Sequence, residues 1–367
     1  MPLKRIVLKI GSNSLASPTG GLSGVILDRL AYTLSAFREG GAECILVSSG
    51  AVAAGMGALK MTQRPHDLIG RQALAAVGQG ILIEKYSYFF SKYEQTGAQI
   101  LLSPMDIGEA AHYRNAQNTI NKLLKMGVIP IINENDTVVI DELCFGDNDR
   151  LSALVAGMLQ ADLLIMLTDV DGLYTANPKK HKDAQHLDRV EDIAGVKKLA
   201  DGQGSAIGTG GMITKIKAAE IAANLGVPSF VTSFEHIENL TSILQEQWPR
   251  GTYFVSPPRK LTGRKGWLTY GALTYGHIAI DAGAKRALKQ RGASLLASGI
   301  IGIEGSWERK EPVRIVGPEG EEVARGLAEL SSQEINDVIG LHTNEVLQRF
   351  SDLTSGEVVH CDNMTVF

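Results

Sequence analysis

Four short stretches of the chain combine residue types that can handle phosphate or carboxylate groups. Lys9 stands near the end of the apolar run Arg5-Ile-Val-Leu-Lys-Ile10 and is followed closely by Gly11-Ser12. An ammonium in a buried strand is costly unless paired, so Lys9 either faces a polar site or reaches past an edge into water. Gly11 favours the first reading, because a residue without a side chain lets backbone N–H groups approach a phosphate closely. The second stretch, Ser48-Ser49-Gly50-Ala51, is a small-residue turn leading into a helix. Spare N–H donors there suit an anion, although tight packing alone would also select small residues. Asn133-Glu134-Asn135-Asp136 and Gly146-Asp147-Asn148-Asp149 make the third, with more acids and amides than a loop needs for solubility. A solvated acidic loop and a calcium site compete with this reading, and the D-x-[DN]-x-[DN]-G-x5-E pattern of a calcium loop is absent. A carboxylate such as Asp136 is better matched to an ammonium on a small molecule. The fourth stretch, Gly208-Thr209-Gly210-Gly211-Met212-Ile213-Thr214-Lys215, is a glycine-rich loop running into a helix with a lysine in its first turn. Such a loop can cradle phosphate, but it matches neither a Walker A loop nor a dinucleotide fingerprint, and alone it reads equally well as a flexible linker.

These clusters need elements that bring them together. Residues 5–10, 44–47, 128–132 and 163–167 are apolar runs, each ending at a polar cluster, and helical patterns lie between them, at 119–125 and 151–159 for example. A further helix follows the first run: Ile26, Leu30, Leu34 and Phe37 recur at helical spacing, Ser23 is the expected cap and Gly40-Gly41 the stop. Strand and helix in alternation predict an α/β fold, with a mostly parallel sheet covered by helices on both faces. Ligands of such sheets bind beyond the carboxyl ends of the strands, where the polar clusters after these runs lie, so the clusters should converge on one site. A breaker-rich, basic stretch at 257–274 reads as a linker. It separates a domain at 1–256 from a small, mainly β module at 275–359, with strands at 278–280 and 313–316 and a helix near 332–340.

The 367 residues carry 36 Lys or Arg against 40 Asp or Glu, a formal charge of −4, and 44% of them are hydrophobic. That supplies apolar material for two folded domains and no basic excess for a constitutive nucleic-acid binder. Cys44, Cys144 and Cys361 are odd in number and far apart, which indicates neither a disulfide framework nor a zinc site and fits a reducing compartment. No run reaches the roughly 18 apolar residues of a membrane helix, and no cleavage site follows Met1. A cytoplasmic protein without membrane contact is expected.

In order and spacing, Lys9-Ile-Gly-Ser12, Ser48-Ser49-Gly50-Ala51, Ile131-Ile132-Asn133-Glu134-Asn135-Asp136, Gly146-Asp147-Asn148-Asp149, Leu167-Thr168-Asp169-Val-Asp-Gly-Leu-Tyr174 and the loop ending at Lys215 resemble the amino acid kinase family. The resemblance covers residues 3–255. Its specific part, Asn-Glu-Asn-Asp with Gly-Asp-Asn-Asp, is similar to the branch that acts on glutamate. Ile280-Asp281-Ala-Gly-Ala284, Gly292-Ala-Ser-Leu-Leu296, Gly299-Ile300 and Ala324-Arg325-Gly326-Leu327 are similar to a PUA module. One departure is Lys310, in Ser306-Trp307-Glu308-Arg309-Lys310-Glu311, where the PUA pattern has glycine.

The resemblance implies the amino acid kinase fold with a PUA-like C-terminal domain. It also implies ATP-dependent phosphorylation of the L-glutamate side-chain carboxylate to L-glutamyl 5-phosphate, the opening step of proline synthesis, with Mg2+ carried on the phosphates. By the same resemblance Lys9 and Lys215 are catalytic, lying along the triphosphate with Asp149 holding both. Ser49, Gly50, Asp136 and Asn148 fall to glutamate. Lys9, Gly11, Thr168, Asp169, Thr209, Gly210, Gly211, Met212, Ile213, Thr214 and Lys215 fall to ATP, and no protein ligand of Mg2+ is implied. Proline feedback, a homo-oligomer (dimer or tetramer) and handover of product to glutamyl-phosphate reductase are implied likewise. The chemistry of the residues agrees: a carboxylate of pKa about 4.3 is ionised at neutral pH and needs no general base, and none of the clusters contains a histidine. What remains is holding donor and acceptor in line and offsetting charge on the migrating group.

Two rivals stand beside this reading. Another family member would take acetylglutamate, aspartate or a nucleoside monophosphate, and an N-acetyl group or a nucleobase would leave Asp136 without an ammonium to answer it. From a different class, the PUA-like tail suggests an RNA-binding protein. Residues 277–359 hold 9 Lys or Arg against 13 Asp or Glu, however, so RNA contact would need a local basic group such as Arg259, Lys260, Arg264 and Lys265.

Overall fold

Arg5–Ile10 forms β1, buried along all but its first residue and the fourth strand of a longer order. The computed structural model describes residues 3–17, 21–139, 148–176, 181–201, 211–258, 261 and 263–367, and the chain divides into two units, Met1–Leu261 and Thr262–Phe367. In the first unit β2 (Glu43–Val47), β3 (Gly97–Leu102), β4 (Ile129–Glu134) and β5 (Leu163–Thr168) follow β1. A hairpin of β6 (Leu173–Tyr174) and β7 (His186–Leu187) stands apart, and β8 (Arg189–Val190), β9 (Ser229–Ser233) and β10 (Thr252–Phe254) complete one eight-stranded sheet ordered β3-β4-β2-β1-β5-β9-β10-β8. All its pairings are parallel except β9 with β10. The expected α/β architecture with a mostly parallel sheet is therefore what the chain adopts.

The helices are α1 (Ser12–Leu15), α2 (Gly24–Glu39), α3 (Ala51–Ala58), α4 (Leu68–Ser91), α5 (Pro104–Gly108), α6 (Ala110–Lys125), α7 (Asn148–Met158), α8 (Ile193–Asp201) and α9 (Gly211–Asn224). Alternation along β1 sends Ile6, Leu8 and Ile10 into an apolar cluster with Leu30, Leu34 and Phe37 of α2 and Tyr86 and Phe90 of α4. It sends Val7 and Lys9 to the opposite face, where α7 packs on β1 and against α9. Both faces are covered, which is why the central strands read as unbroken apolar runs. Ser23 does precede α2, but its hydroxyl makes no capping bond. Its ψ of 115° differs from the 153° at Asp67, whose carboxylate does cap α4.

α3 and α4 meet backbone to backbone. A Cβ on Gly78 would stand 1.8 Å from the Ala51 carbonyl oxygen, and one on Gly55 would stand 2.1 Å from that of Leu74. This contact sets the N-terminus of α3 beside the carboxyl end of β2.

The second unit begins with α10 (Gly263–Tyr270), a helix within the stretch expected to be a linker. Then come β11 (Gly276–Ile280), α11 (Ala282–Arg291), β12 (Leu295–Leu296), β13 (Ile300–Gly305), β14 (Pro312–Val316), β15 (Glu322–Leu327), α12 (Ser332–Asn336), α13 (Thr343–Arg349), β16 (Glu357–Val359) and β17 (Met364–Val366). The sheet is ordered β13-β11-β14-β15-β17 and encloses its own core around Trp307, whose indole N–H donates to the Leu330 carbonyl at 3.2 Å. β17 lies beyond the expected end at 359 and pairs with β15, burying Met364. The helix expected at 332–340 ends at Asn336.

Cys361, read as isolated, gathers with His360 and Asp362 so that their ligand-type atoms lie within 4.8 Å of one another. Nδ1 of His360 is already engaged as acceptor of the Asp362 N–H at 3.1 Å, so the turn closes on itself. Lys310, where the pattern has glycine, makes its turn in the left-handed region at φ +70°, with its ammonium on Glu329.

Two outcomes follow for stability. Gly78→Ala should lower it by at least about 1–3 kcal/mol in denaturant unfolding, because backbone atoms on α3 cannot yield to the new methyl. Lys310→Gly should be more stable than Lys310→Ala by about 1 kcal/mol, since both lose Glu329 and only glycine takes the left-handed conformation freely.

Candidate active site

Asp149, in the first turn of α7, is wholly buried and sits between two lysines. Lys9 Nζ of β1 lies 2.5 Å from its Oδ1, and Lys215 Nζ of α9 lies 3.0 Å from its Oδ2. The Thr214 hydroxyl donates to Oδ2 at 2.8 Å, and Lys215 also donates to the Gly211 carbonyl at 3.2 Å. One carboxylate cannot neutralise two ammonium groups. The cluster sets two ammonium groups against one carboxylate in a place where water screens charge poorly, and both lysines contribute to the wall of one cleft of about 690 Å³. An anionic ligand is the natural complement.

At one end of this cleft Gly50, at φ +100°, turns the chain into α3. The Asn148 amide Nδ2 donates to the Ser48 carbonyl at 2.5 Å, Asn133 Oδ1 at 2.8 Å and Ser49 Oγ at 3.1 Å. Asn133 in turn donates to Gln79 Oε1 at 2.8 Å, and the Ser48 hydroxyl meets the Tyr86 hydroxyl at 2.7 Å inside the core. Asp136 is half-buried beside this network. Burial pushes its carboxyl above the ordinary aspartate range, against the opposing pull of the Arg64 and Arg71 charges.

Toward the other end, Thr168 closes β5, and its hydroxyl donates to Asp169 Oδ1 at 3.0 Å. Gly11, Ser12, Asn13 and Ser14 lie after β1, and Gly211 and Met212 open α9. The structure thus gathers Lys9, Gly11, Ser49, Gly50, Asp136, Asn148, Thr168, Asp169, Gly211, Met212 and Lys215 around one cleft, and the buried Asp149 stands behind it. Thr214 and Ile213 share the first turn of α9 without forming part of the wall. Thr209, Gly210, Asp147 and Cys144 lie outside the described residues.

One contributor was not singled out from sequence, and two that were singled out stand in a strand where a loop was expected. Arg64 lines the cleft from an aperiodic stretch between α3 and α4 that carries no pattern of its own. Glu134 and Asn133 are the last residues of β4, paired in register with Leu102 and Leu101, and not members of the loop that follows. A polar residue inside a strand must find a partner, and that was the available signal for Asn133.

Residues 4–233 match the model of the amino acid kinase family, and residues 276–350 match that of the PUA domain. A glutamate 5-kinase of Desulfitobacterium hafniense (strain Y51) is 54% identical over 364 residues, spanning 99% of this chain and 98% of that relative. A glutamate 5-kinase of Carboxydothermus hydrogenoformans is 42% identical over 366 residues, with 99% and 98% covered. Among solved structures, UMP kinase from Bacillus anthracis superposes with a TM-score of 0.50 at 18% identity, over 70% of this chain and 97% of that one, a likeness of fold alone. By its sequence match and its architecture, the chain belongs to the amino acid kinase family.

Proposed function

We propose that this chain transfers the γ-phosphoryl group of ATP to the side-chain carboxylate of L-glutamate, giving L-glutamyl 5-phosphate for proline synthesis. The observation that carries the reading is the pairing of Lys9 and Lys215 to opposite oxygens of Asp149 beside one cleft. Two ammonium groups suit a triphosphate and the charge spread over a migrating phosphoryl group. Asp149 holds the two ammonium groups at fixed separation. The acceptor carboxylate arrives ionised, so no side chain has to remove a proton.

The acceptor end fits a free amino acid. Asp136 offers a carboxylate to the α-ammonium, while Ser49, Gly50 and Asn148 bound a small polar floor. Acetylglutamate would bring no ammonium to Asp136, and both relatives described above are named for glutamate. Thr168, Asp169 and the run 209–215 are assigned to the nucleotide. Mg2+ neutralises phosphate charge when bound. Asp149 is committed to two lysines, and phosphate oxygens and water are the expected partners of the ion. The same resemblance supports a cytoplasmic homo-oligomer inhibited by proline, whose product passes to glutamyl-phosphate reductase, and a kinase domain at 1–256 joined by 257–274 to the PUA domain at 275–359. No described helix is long and apolar enough to cross a membrane.

Hydroxylamine trapping of an acyl phosphate, with ADP release followed in parallel, tests the reaction. More product from acetylglutamate than from free glutamate would overturn the acceptor assignment. Lys9→Ala and Lys215→Ala should each lower kcat by about 10²- to 10³-fold with the fold intact by circular dichroism. Asp136 gives a pH signature. As pH falls through its raised pKa the carboxylate is lost, and with it the partner of the α-ammonium. The KM for glutamate should therefore climb on acidification from a higher pH than an ordinary aspartate would give, and Asp136→Asn should raise KM and flatten that dependence.

A further inference from the structure

Val170, Gly172, Leu173 and Tyr174 line the cleft on the nucleotide side, yet residues 170–174 have almost no regular structure before the two-residue β6. Their shape must be set by what surrounds them. The Leu173 N–H donates to Thr252 Oγ1 at 2.7 Å, and that hydroxyl donates to the Leu187 carbonyl at 2.6 Å. Gly172 turns at φ +134°, where a Cβ would stand 2.5 Å from His186 Nε2 and 2.6 Å from Thr252 Oγ1. The His186 ring packs edge-on against Tyr174, and its Nε2 lies 3.0 Å from the Asp171 carbonyl.

The last tie is ionic and comes from far along the chain. Arg250 Nε donates to Asp171 Oδ2 at 2.5 Å and Nη2 to the Tyr174 hydroxyl at 3.3 Å, while that hydroxyl donates to Asp171 Oδ1 at 2.8 Å. Partial burial pushes the Asp171 carboxyl up, but the hydrogen bonds from Arg250 and Tyr174 and the Arg250 charge outweigh it and hold the group below the usual range. Asp171 therefore meets Arg250 and Tyr174 as a carboxylate at neutral pH. Arg250 itself lines a different cleft, of about 1260 Å³, with Trp248 and Tyr253.

We infer that Arg250 is a positioning residue for the nucleotide: through Asp171 and Tyr174 it holds residues 170–174 in the shape that ATP meets. The inference rests on the assignment of this end of the cleft to ATP. A guanidinium suits the task because its planar fork reaches a carboxylate and a phenol together, whereas an ammonium is a single point of charge.

Calorimetric titration of the full chain with ADP, without glutamate, combined with steady-state kinetics, tests it. Arg250→Ala should weaken ADP and raise the KM for ATP by about 10-fold, with kcat and the glutamate KM within about two-fold of wild type. Arg250→Lys should recover part of the loss. A merely structural role would instead reduce the active fraction, lowering kcat at unchanged KM, and that result overturns the inference, as does unchanged ADP affinity. Should Arg250→Ala fail to fold, Tyr174→Phe keeps the ring against His186 and removes one corner of the triangle. It should weaken ADP by about three-fold, and unchanged affinity would count against the role. A wild-type chain that binds no ADP overturns the nucleotide assignment itself, and the role of Arg250 with it.

Discussion

A single buried carboxylate shared between two ammonium groups is the constraint around which the first unit is arranged. Three charges are withdrawn from water, two ammonium groups against one carboxylate, and they border a space that a counter-charge can enter. The groups come from β1, α7 and α9, so both helices must lie on the face of the sheet that carries Lys9. Helix α7 presents Asp149 in its first turn, where the partial positive charge of the helix end favours an acid, and the neighbouring Asn148 reaches the opposite end of the same cleft.

The acceptor end depends on a different kind of closeness. Because Gly55 and Gly78 carry no side chains, α3 and α4 approach until backbone touches backbone, and the turn through Gly50 is wedged against the core. The Asn148 amide has two hydrogens and three acceptors within reach. The floor of the site is thus rich in acceptors, which agrees with a ligand that brings an ammonium.

The strands and the convergence of their polar ends were legible because two-sided burial leaves continuous apolar strings, and such strings stop where the sheet stops. What joins the ends was not legible. Alternation says that Lys9 shares a face with Val7, but which helix covers that face is decided by crossovers that local periodicity does not record. The shared use of Asp149 by Lys9 and Lys215 came from resemblance, and its geometry only from the fold. Arg64 and Arg250 carry no local pattern at all, since each acts from an irregular stretch against partners far away in sequence. β17 escaped notice because three residues make no periodicity, and only the open edge of β15 gives them a place. Ser23 had the right residue type at the right position and still does not cap, its ψ of 115° standing apart from that of Asp67, which does.

The placement of Lys9 has a bearing on folding as well as on chemistry. β1 lies between β2 and β5, with apolar neighbours on both sides of its register. Apolar side chains alone would tolerate a shift of one residue, since Val7 could replace Leu8 among the aliphatics. Lys9 does not permit it: the shift would drive an ammonium among Leu34 and Phe37 and strand Asp149 without its closest partner. The residue assigned to the phosphates thereby also fixes the alignment of the central strand, since a one-residue misalignment would leave its charge among hydrocarbon.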